Sequence, residues 1–502
     1  MDKQQLFTFN FASKKDWDLT PKSVQDFVLL QKQRIEELEK QLAQSKTEQD
    51  LLKEKANTNS QNSGLPTSTE IFKPAPKKSN SKKKKKRGGQ KGHKGFQRKL
   101  YDEKDCTTIQ NHKPQTCKCC GNKLSGNDAN PYRHQVVEIP KIQLQIEEHR
   151  LHQLQCSQCG AKTRAKLPTT VSACGYGERV VALVSVMNGQ YRHSHRMIVS
   201  AMRDFFGVMM SVGTVSRLRN EASEALSSAV SQAKDYIQSA PIVNMDETSF
   251  GVGNSDGNNQ ENKKGWLWTV VTGAIKYFQV SLSRSQEIAK QILGENFQGK
   301  LGSDRYVGYN WLDVEQRQLC WAHLKREFQK ISERSGASRQ VGRDLMAQEK
   351  KLFRLWRKVS VGKLSRKQFK LLVKPIKKRL GEILMETAEY EIGSREKTPW
   401  AKTVRTCRQL KKLESALWRF VEVEGLEPTN NSAERAIRPA VLWRKTSFGS
   451  QSEAGSVFVG RILTVVSSLR AQKRDILDFL CESIKAKRNG EQTPSLIPTV
   501  EK

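Results

Sequence analysis

The sequence Ile242-Val243-Asn244-Met245-Asp246-Glu247-Thr248 reads as a β-strand over residues 241–245 that leads directly to an acid. Four more strands are predicted after it, at residues 266–272, at 275–282 beyond a tight Gly273-Ala274 connection, at a short run that reaches Asp304, and at 318–321. A helix is predicted to begin near Ser285. This order predicts an α/β core with a mixed sheet, in which Asp246 lies on the first strand and Asp304 at the fourth, with these two strands adjacent.

Three carboxylates lie in settings that suit a metal-dependent phosphoryl-transfer site. They are Asp246, Asp304, and Glu434 just after a cluster of helix-capping residues at 430–432. Such a trio can hold two hard cations about 3.5–4 Å apart, which predicts cleavage and joining of DNA strands. The structural alternative is that the two aspartates only end strands and that Glu434 only complements a helix dipole. Glu247 is expected on the opposite sheet face and is not chosen as a ligand.

The composition indicates a polyanionic partner. The 502 residues, 36% of them hydrophobic, are enough for two or three domains and a substantial core. Lys and Arg number 87 against 52 acids, giving a net charge of +35. Residues 73–99 carry thirteen of these bases, yet the remainder still has a net charge of +22. The folded domains are therefore basic too, which favours nucleic acid over a single solvated tail.

The cysteines and the lack of long apolar runs predict a compartment and a metal. No run of eighteen apolar residues is present, and Met1-Asp2-Lys3-Gln4-Gln5 lacks the apolar core of a secretory signal. The ten cysteines include close pairs rather than an evenly spread framework. A reducing cytoplasm with a metal site fits these features better than disulfides, and no membrane partner is expected.

The N-terminal region predicts self-association. Residues 24–54 repeat apolar positions at heptad spacing, as in a short, imperfect coiled coil, so a homodimer is expected. The seam consists of Val28, Ile35, Leu38, Leu42 and Leu52. The alternative is a single amphipathic helix that packs on its own protein.

A basic segment follows the heptads. Residues 57–100 are rich in Ser, Asn, Pro, Gly and Lys and contain too few apolar groups to fold alone, which predicts a mobile arm. The candidate phosphate-binding residues are Lys82, Lys83, Lys84, Lys85, Lys86 and Arg87. Their affinity for DNA is expected to be independent of sequence and weakened by salt.

Two Cys-x-x-Cys pairs predict a structural zinc site. Cys117 with Cys120 and Cys156 with Cys159 would supply four thiolates in a ribbon-like module, joined by a strand at 141–147. The thirty-five residues between the pairs exceed the usual spacing. Alternative ligands remain open and are Cys119, His134, His149 and His152. Four protein ligands would leave no open position for catalysis.

Residues 178–225 read as helical and resemble a helix-turn-helix. One helix runs into Gly207, and a second begins with Ser211 as its candidate cap and carries Arg217. In the DNA-reading interpretation the second helix lies in the major groove. Two packed core helices would give almost the same pattern, so both interpretations stay open.

The motifs together resemble a transposase of the insertion-sequence-66 family. The likeness runs through the coiled coil, the Gly-Gly-Gln-Lys-Gly-His-Lys-Gly arm at 88–95, the paired cysteines, Asp-Glu-Thr at 246–248, Cys-Trp-Ala-His at 320–323 and Asn-Asn-Ser-Ala-Glu-Arg-Ala-Ile-Arg-Pro at 430–439. The last string is the most distinctive, because it joins capping residues, an acid and flanking arginines.

The resemblance implies a ribonuclease-H-like core with an Asp-Asp-Glu triad at Asp246, Asp304 and Glu434. It also implies that the helical, basic stretch between the last two acids is an insertion that grips flanking DNA. His323 would contact the scissile DNA or support a metal ligand. Further phosphate-binding candidates are Arg435, Arg438, Arg444 and Lys445. Pro439 is expected to kink or restart its helix.

The sequence therefore predicts a multidomain α/β DNA transposase that uses Mg²⁺ or Mn²⁺ for cleavage at element ends and strand transfer, and Zn²⁺ for structure. The partners would be terminal inverted repeats, target DNA, a second copy and accessory proteins encoded by the element, on the bacterial nucleoid. The rival functions are a catalytically inactive or domesticated zinc-containing DNA-binding regulator and a nuclease with no joining step. The predicted domains are 1–56, 57–100, 101–170, 171–238, 239–450 with an insertion at about 325–425, and 451–502.

Overall fold

The computed structural model describes residues 14–59, 61–63, 88, 95, 98–171 and 175–498. They form two compact units, one drawn from residues 1–72 and 148–502 and the other from residues 73–147. The larger unit is mainly helical and contains a mixed sheet. The predicted phosphate-binding run from Lys82 to Arg87 lies outside the described residues.

The described residues at the N-terminal end of the larger unit include two helices, α1 at Lys14–Leu19 and α2 at Lys22–Ala56. Helix α2 covers the predicted heptad region, and none of its described residues is buried. Its seam is open to solvent, with Ile35 and Leu42 each 55% exposed. The helix is confirmed, whereas its pairing with a second copy stays a prediction.

The C-terminal end of α2 is held on the same chain by charge. The Glu54 carboxylate lies 3.0 Å from Arg334 Nη2, 2.8 Å from Lys402 Nζ and 3.6 Å from Lys330 Nζ. Burial opposes ionisation of Glu54, but the hydrogen bonds and charges of Lys402 and Arg334 prevail and lower its pKa to about 2. One end of the helix is thus anchored while its apolar seam stays uncovered.

The smaller unit has little regular structure among its described residues, apart from a 3₁₀ turn at Glu103–Asp105. The strand predicted at 141–147 is wrong, since the structure assigns no strand there and leaves Ile142, Leu144 and Ile146 exposed. Alternation of polar and apolar residues gives a chain two faces, but a strand also needs a neighbouring strand for its backbone groups. The next hairpin along the chain lies in the larger unit, where β1, Gln153–Gln155, pairs with β2, Lys162–Arg164.

Four helices come next and precede the sheet. They are α3 at Glu178–Gly189, α4 at His195–Phe206, α5 at Val212–Ala225 and α6 at Ser227–Ser239. Helix α4 ends at Gly207, whose φ of 69° lies in the left-handed region that glycine adopts freely. Helix α5 is capped as predicted, because Ser211 Oγ accepts a hydrogen bond from Thr214 N at 3.1 Å.

The sheet of the larger unit contains five strands and one crossover helix. They are β3 at Ile242–Phe250, β4 at Gly265–Val271, β5 at Lys276–Ser281, helix α7 at Gln286–Leu293, β6 at Lys300–Ser303 and β7 at Arg317–Leu319. The strand order is β5-β4-β3-β6-β7, in which β3, β4 and β5 are antiparallel and β3, β6 and β7 are parallel. The mixed sheet and the adjacency of the first and fourth of these strands are as predicted. Asp246 lies inside β3 rather than at its end, because pairing with β4 continues to Phe250.

A helical insertion with its own apolar core follows β7. Its helices are α8 at Trp321–Ser332, α9 at Ala337–Ser360, α10 at Arg366–Ala388, α11 at Pro399–Lys412 and the single turn α12 at Arg419–Glu422. Large side chains fill its centre, among them Trp321, Phe369 and Phe420. The strand predicted to reach residue 321 ends at Leu319, because Cys320 caps α8.

Helix α13, Asn431–Ser447, returns the chain to the sheet. It is continuous through Pro439, so the helix does not restart at this residue, and the kink that the sequence also allowed stays a prediction. The proline removes one backbone donor, but Ile437, Ala440 and Trp443 are buried on the same helix. Packing of this apolar face compensates for the lost hydrogen bond.

A close backbone contact follows α13. Ser450 N donates to Gly251 O at 3.0 Å, and Gly253 N donates to Ser450 O at 2.8 Å, which joins the chain after α13 to the end of β3. A Cβ atom on Gly449 would overlap Gly251 O, and one on Gly251 would overlap Phe448 O. Gly449 also has a φ of 102°. The two glycines therefore permit a contact that no larger residue would allow.

The last helices are α14, Glu453–Gln472, and α15, Ile476–Asn489. Helix α14 is long and apolar enough to cross a membrane by length and composition, but 72% of its most apolar window is buried within the protein. Thr464 Oγ1 accepts from Phe278 N at 2.9 Å and Ser468 Oγ from Lys276 N at 3.0 Å. Helix α14 is thus a core helix that covers the edge strand β5.

Candidate active site

Asp246 lies on the central strand β3, between its neighbours β4 and β6. Its Oδ1 accepts a hydrogen bond from Glu247 N at 3.0 Å. Burial raises the pKa of Asp246 well above its ordinary value, and the nearby carboxylates of Glu247, Asp304 and Glu434 raise it further. Asp304 and Glu434 therefore both lie near enough to Asp246 for their charges to act on it.

Asp304 follows β6 directly, on the strand that runs parallel to β3. Its Oδ1 accepts a hydrogen bond from Tyr306 N at 2.9 Å, which turns the chain away from the sheet. Because the carboxyl ends of parallel neighbours meet at one edge, this placement brings Asp304 toward Asp246.

Glu434 reaches the same edge from the first turn of α13. The helix start is tied to β3, because Asn430 Nδ2 donates to Met245 O at 2.8 Å, one residue before Asp246. Asn430 N also donates to Cys320 Sγ at 3.1 Å. The sequence favoured a capping role for residues 430–432, but the Asn430 side chain makes no cap hydrogen bond and instead crosses to the strand.

Cys320 and His323 come from the start of α8, which follows β7. His323 Nδ1 lies 3.6 Å from Glu434 Oε1, and Arg326 Nη2 lies 3.6 Å from the same oxygen. One ligand atom from each of Cys320, His323 and Glu434 can be chosen so that all lie within 4.8 Å of one another. Burial lowers the pKa of His323 and Arg326 lowers it further, against the opposing charges of Glu434 and Asp304.

The Glu247 carboxylate, which was not chosen as a metal ligand, is hydrogen-bonded to other side chains. Its side chain is 1% exposed, and Oε1 accepts from Arg284 Nη2 at 2.6 Å while Oε2 accepts from Tyr309 Oη at 2.5 Å. The Arg284 guanidinium lies 3.9 Å from the centre of the Tyr306 ring. Sequence reasoning did not find this network, since its members are spread over more than sixty residues.

The donor set at this edge suits a hard divalent cation. Asp246, Asp304 and Glu434 offer oxygen ligands, and a cation bound among them would offset the negative charges that raise the pKa of Asp246. In the part of the chain that the structure describes, Asn430 Oδ1 and Ser432 Oγ are buried acceptors with no hydrogen-bond partner. These unpaired oxygens, close in sequence to Glu434, suit a site for a hydrated ion.

The predicted phosphate-binding residues differ in their surroundings. Arg435, Arg438 and Lys445 are exposed on α13, and Arg217 is exposed on α5. Arg444 is half-buried, where its Nη1 donates to Thr248 Oγ1 at 3.1 Å and to Ser249 O at 2.9 Å. Arg444 thus ties α13 to β3, a role that its sequence position did not indicate.

Each cysteine pair forms a turn of the zinc-knuckle type. At the first pair, Cys117 N donates to Asn122 O at 2.9 Å and Gly121 N to Cys117 O at 3.0 Å. The backbone N–H groups of Cys120 and Cys119 lower the pKa of the Cys117 thiol. Stabilised thiolates are the form that binds zinc.

The second pair repeats this geometry. Cys156 N donates to Ala161 O and Gly160 N to Cys156 O, both at 2.9 Å. The backbone N–H groups of Cys159 and Gln158 lower the pKa of the Cys156 thiol. Both turns therefore present a sulfur ligand prepared for metal, and the residues present fit zinc.

The chain matches two protein-family models. Residues 174–457 match the model described as "Transposase IS66 family", and residues 114–160 match the "zinc-finger binding domain of transposase IS66". Two proteins of Sinorhizobium fredii are also similar. Uncharacterized protein y4qI is 27% identical over 241 residues, which cover 44% of this chain and 43% of that protein. Uncharacterized protein y4hP is 23% identical over 401 residues, which cover 74% of this chain and 70% of that protein.

Proposed function

The chain belongs to the IS66 family of transposases, and from this premise we propose that it cuts DNA at the ends of a mobile element and joins those ends to target DNA. Family membership supports a DNA-processing enzyme with a zinc-binding region. The proposed chemistry is metal-dependent and uses Asp246, Asp304 and Glu434. Divalent magnesium or manganese bound there would activate the attacking oxygen and stabilise the leaving oxygen during in-line displacement at phosphorus.

One observation carries this proposal. Three acids from three separate elements, β3, the end of β6 and α13, are close enough to shift the pKa of one of them. The Asn430 amide supports the arrangement by holding the start of α13 against β3. Carboxylates that gather at one sheet edge from distant parts of a chain are costly unless they bind a cation.

We assign the catalytic core to the ribonuclease-H-like fold. The supporting features are the strand order β5-β4-β3-β6-β7, with three antiparallel and then two parallel strands, and the helical insertion before the last acid. Glu434 would then act as the third acid from a helix, while the two aspartates act from adjacent strands.

The residues around the acids would position the DNA. His323 would hold a scissile phosphate or a metal ligand, since its Nδ1 is directed toward Glu434. Arg435, Arg438 and Lys445 would bind phosphates along α13. On the insertion, Lys374, Lys377, Lys378 and Lys411 line one surface depression, which offers a further path for flanking DNA.

Recognition of the element ends is proposed for the N-terminal half. Helix α5, with exposed Arg217, would read the terminal inverted repeats as the second helix of a helix-turn-helix. The zinc module, with Cys117, Cys120, Cys156 and Cys159, and the basic arm at 82–87 would add contacts. A homodimer formed through α2 would hold two ends together, assisted by accessory proteins, on the nucleoid of a bacterial cytoplasm.

The test is Mg²⁺-dependent cleavage of DNA that carries the element end. Asp246→Asn, Asp304→Asn and Glu434→Gln should each reduce cleavage by at least about a hundredfold, because loss of groups that only support a metal ligand already costs about 10–100-fold. Glu295→Gln is the matched control, since Glu295 is an exposed acid beyond α7.

The same assay separates the rival functions. Activity should disappear with a chelator and return with Mg²⁺. Binding of DNA ends without any cleavage would favour the regulator, and cleavage without strand-transfer products would favour a nuclease. Full activity in all three acid variants would remove the proposed site.

A further inference from the structure

We propose that Cys320, His323 and Glu434 form a second kind of metal site, which binds Zn²⁺ or another thiophilic divalent cation at the edge of the proposed active site. The binding itself rests on the geometry of these three side chains. Only its consequence for catalysis rests on the proposed function, because Glu434 is shared between the two sites.

The distances suit a tetrahedral ion. His323 Nδ1 and Glu434 Oε1 are 3.6 Å apart. Ligands held at about 2.0–2.3 Å from zinc in a tetrahedron lie roughly 3.4–3.7 Å from one another. A choice of one ligand atom per residue places the three within 4.8 Å of one another, so small side-chain rotations would bring the sulfur into range.

The sulfur of Cys320 shares its backbone donors with the knuckle sulfurs but is buried, and burial raises the pKa of its thiol whereas the pKa values of Cys117 and Cys156 are lowered. In the two Cys-x-x-Cys turns, the first cysteine receives backbone N–H groups from the residues two and three positions later. Cys320 receives the corresponding N–H groups from Ala322 and His323, and a third from Asn430 at 3.1 Å. The Cys-x-x-His turn at the start of α8 thus repeats the local arrangement of the zinc turns, with an imidazole in place of the second thiol.

The imidazole is available as a ligand. His323 Nδ1 is buried and has no hydrogen-bond partner among the residues that the structure describes. An unpaired buried nitrogen is costly, and coordination to a metal would remove that cost. Arg326 lies 3.6 Å from Glu434 Oε1 and opposes a cation there, but its side chain is partly exposed and can turn toward solvent.

The ligand chemistry separates this site from the magnesium site. Thiolate and imidazole select zinc and similar metals, whereas Mg²⁺ takes oxygen ligands. Three protein ligands would leave one position open, which four protein ligands would not. Zinc bound here would withdraw Glu434 from the other two acids, so it would inhibit Mg²⁺-dependent cleavage.

The first experiment measures zinc bound per full-length chain after saturation and removal of free metal. The unaltered protein should hold two zinc ions per chain, and Cys320→Ser and His323→Gln should each hold one. Serine keeps an acceptor for Asn430 N while removing the soft ligand. Cys407→Ser is the matched control, because Cys407 is a buried cysteine of the insertion core, and it should keep two.

Cobalt substitution supplies a second readout. Replacement of Cys320 should remove part of the sulfur-to-cobalt charge-transfer absorption, while Cys407→Ser should leave it intact. An unchanged zinc content in both Cys320→Ser and His323→Gln would overturn the site.

A third measurement keeps the two proposals distinguishable. Zinc added to the Mg²⁺ cleavage assay should inhibit the unaltered protein, and the ratio of activities with and without zinc should move toward one in Cys320→Ser. If no variant or condition gives cleavage but the zinc content falls as stated, the proposed function fails and the metal site stands. Equal zinc inhibition in both proteins would overturn the inhibitory role.

Discussion

At the scale of single residues, the position of Glu434 depends on the side-chain amide of Asn430, four residues earlier. Asn430 is 1% exposed and joins α13 to β3 through Met245 O. The string around it indicated a helix start, which the structure confirms at Asn431. That its side chain would cross to a strand 185 residues earlier was not predictable, because the partner is a backbone carbonyl and carries no sequence signal.

Asn430→Ala should therefore act as a positioning mutation. It removes one buried hydrogen bond and should lower the free energy of unfolding by about 1–3 kcal/mol. Cleavage should fall more than stability accounts for, with a lower kcat at saturating DNA. Thermal unfolding and steady-state kinetics measure the two effects. Asn431→Ala is the control, and equal kinetics in both variants would count against the tie.

The raised pKa of Asp246 makes the stability of the metal-free protein depend on pH. A folded-state pKa above the unfolded value means that the folded protein binds the extra proton, so metal-free stability falls as pH rises from the unfolded value toward the folded one. Mg²⁺ should counter this loss, because it binds the ionised acids. Thermal unfolding from pH 4 to pH 8 with and without Mg²⁺ tests this, and Asp246→Asn should flatten the metal-free curve. A metal-free curve that rises over this range, and that Asp246→Asn leaves unchanged, would contradict the assignment.

At the scale of secondary-structure elements, sequence patterns predicted most elements of the sheet and their approximate bounds. The strands at 266–272 and 275–282 and the helix near Ser285 were each confirmed within a residue or two. The failures share one cause, since local patterns do not report tertiary partners. The stretch at 141–147 had the alternation but no neighbouring strand, and α13 passed through Pro439 because its buried face holds it.

The anchor of α2 makes a prediction at this scale. Glu54 has a pKa of about 2 against an ordinary 4.5, so its contribution is fully present above pH 4.5 and is lost as pH falls toward 2. After allowance for solvent screening, the contribution is on the order of 2 kcal/mol. Glu54→Gln should free the end of α2, seen as faster hydrogen exchange at residues 46–56. Glu48→Gln, an exposed acid of the same helix, should have no such effect.

At the scale of the whole molecule, the sequence predicted a mixed α/β protein and a family, and both are confirmed. The acids were chosen from their settings after predicted strands and a helix start, with support from the family motifs. The structure brings them to one edge of the sheet, though their catalytic roles stay a prediction. The sequence did not indicate which long-range contacts hold the helices and strands together. Arg444, Glu247 and Glu54 hold elements together through partners far away in the chain.

The uncovered seam of α2 predicts the assembly. Leu38 is 47% exposed and Leu42 is 55% exposed on a helix with no buried residue among those described. Leu38→Asp with Leu42→Asp should convert a dimer to monomer over the micromolar range, since charge at seam positions opposes helix pairing. Sedimentation velocity measures the change. Gln41→Asp, off the seam, should stay dimeric, and a monomeric starting protein would refute the pairing.

The paired glycines at 251 and 449 bear on how copies of such an element are counted in genomes. A copy of the gene is usually judged functional when the codons for its three acids are intact. Here a single nucleotide change that gives alanine at either glycine would force β3, which carries Asp246, away from the chain that follows α13, which carries Glu434. Surveys that inspect only the acids would therefore count inactive copies as active. Alleles recovered from a screen for loss of transposition should include substitutions at these two codons.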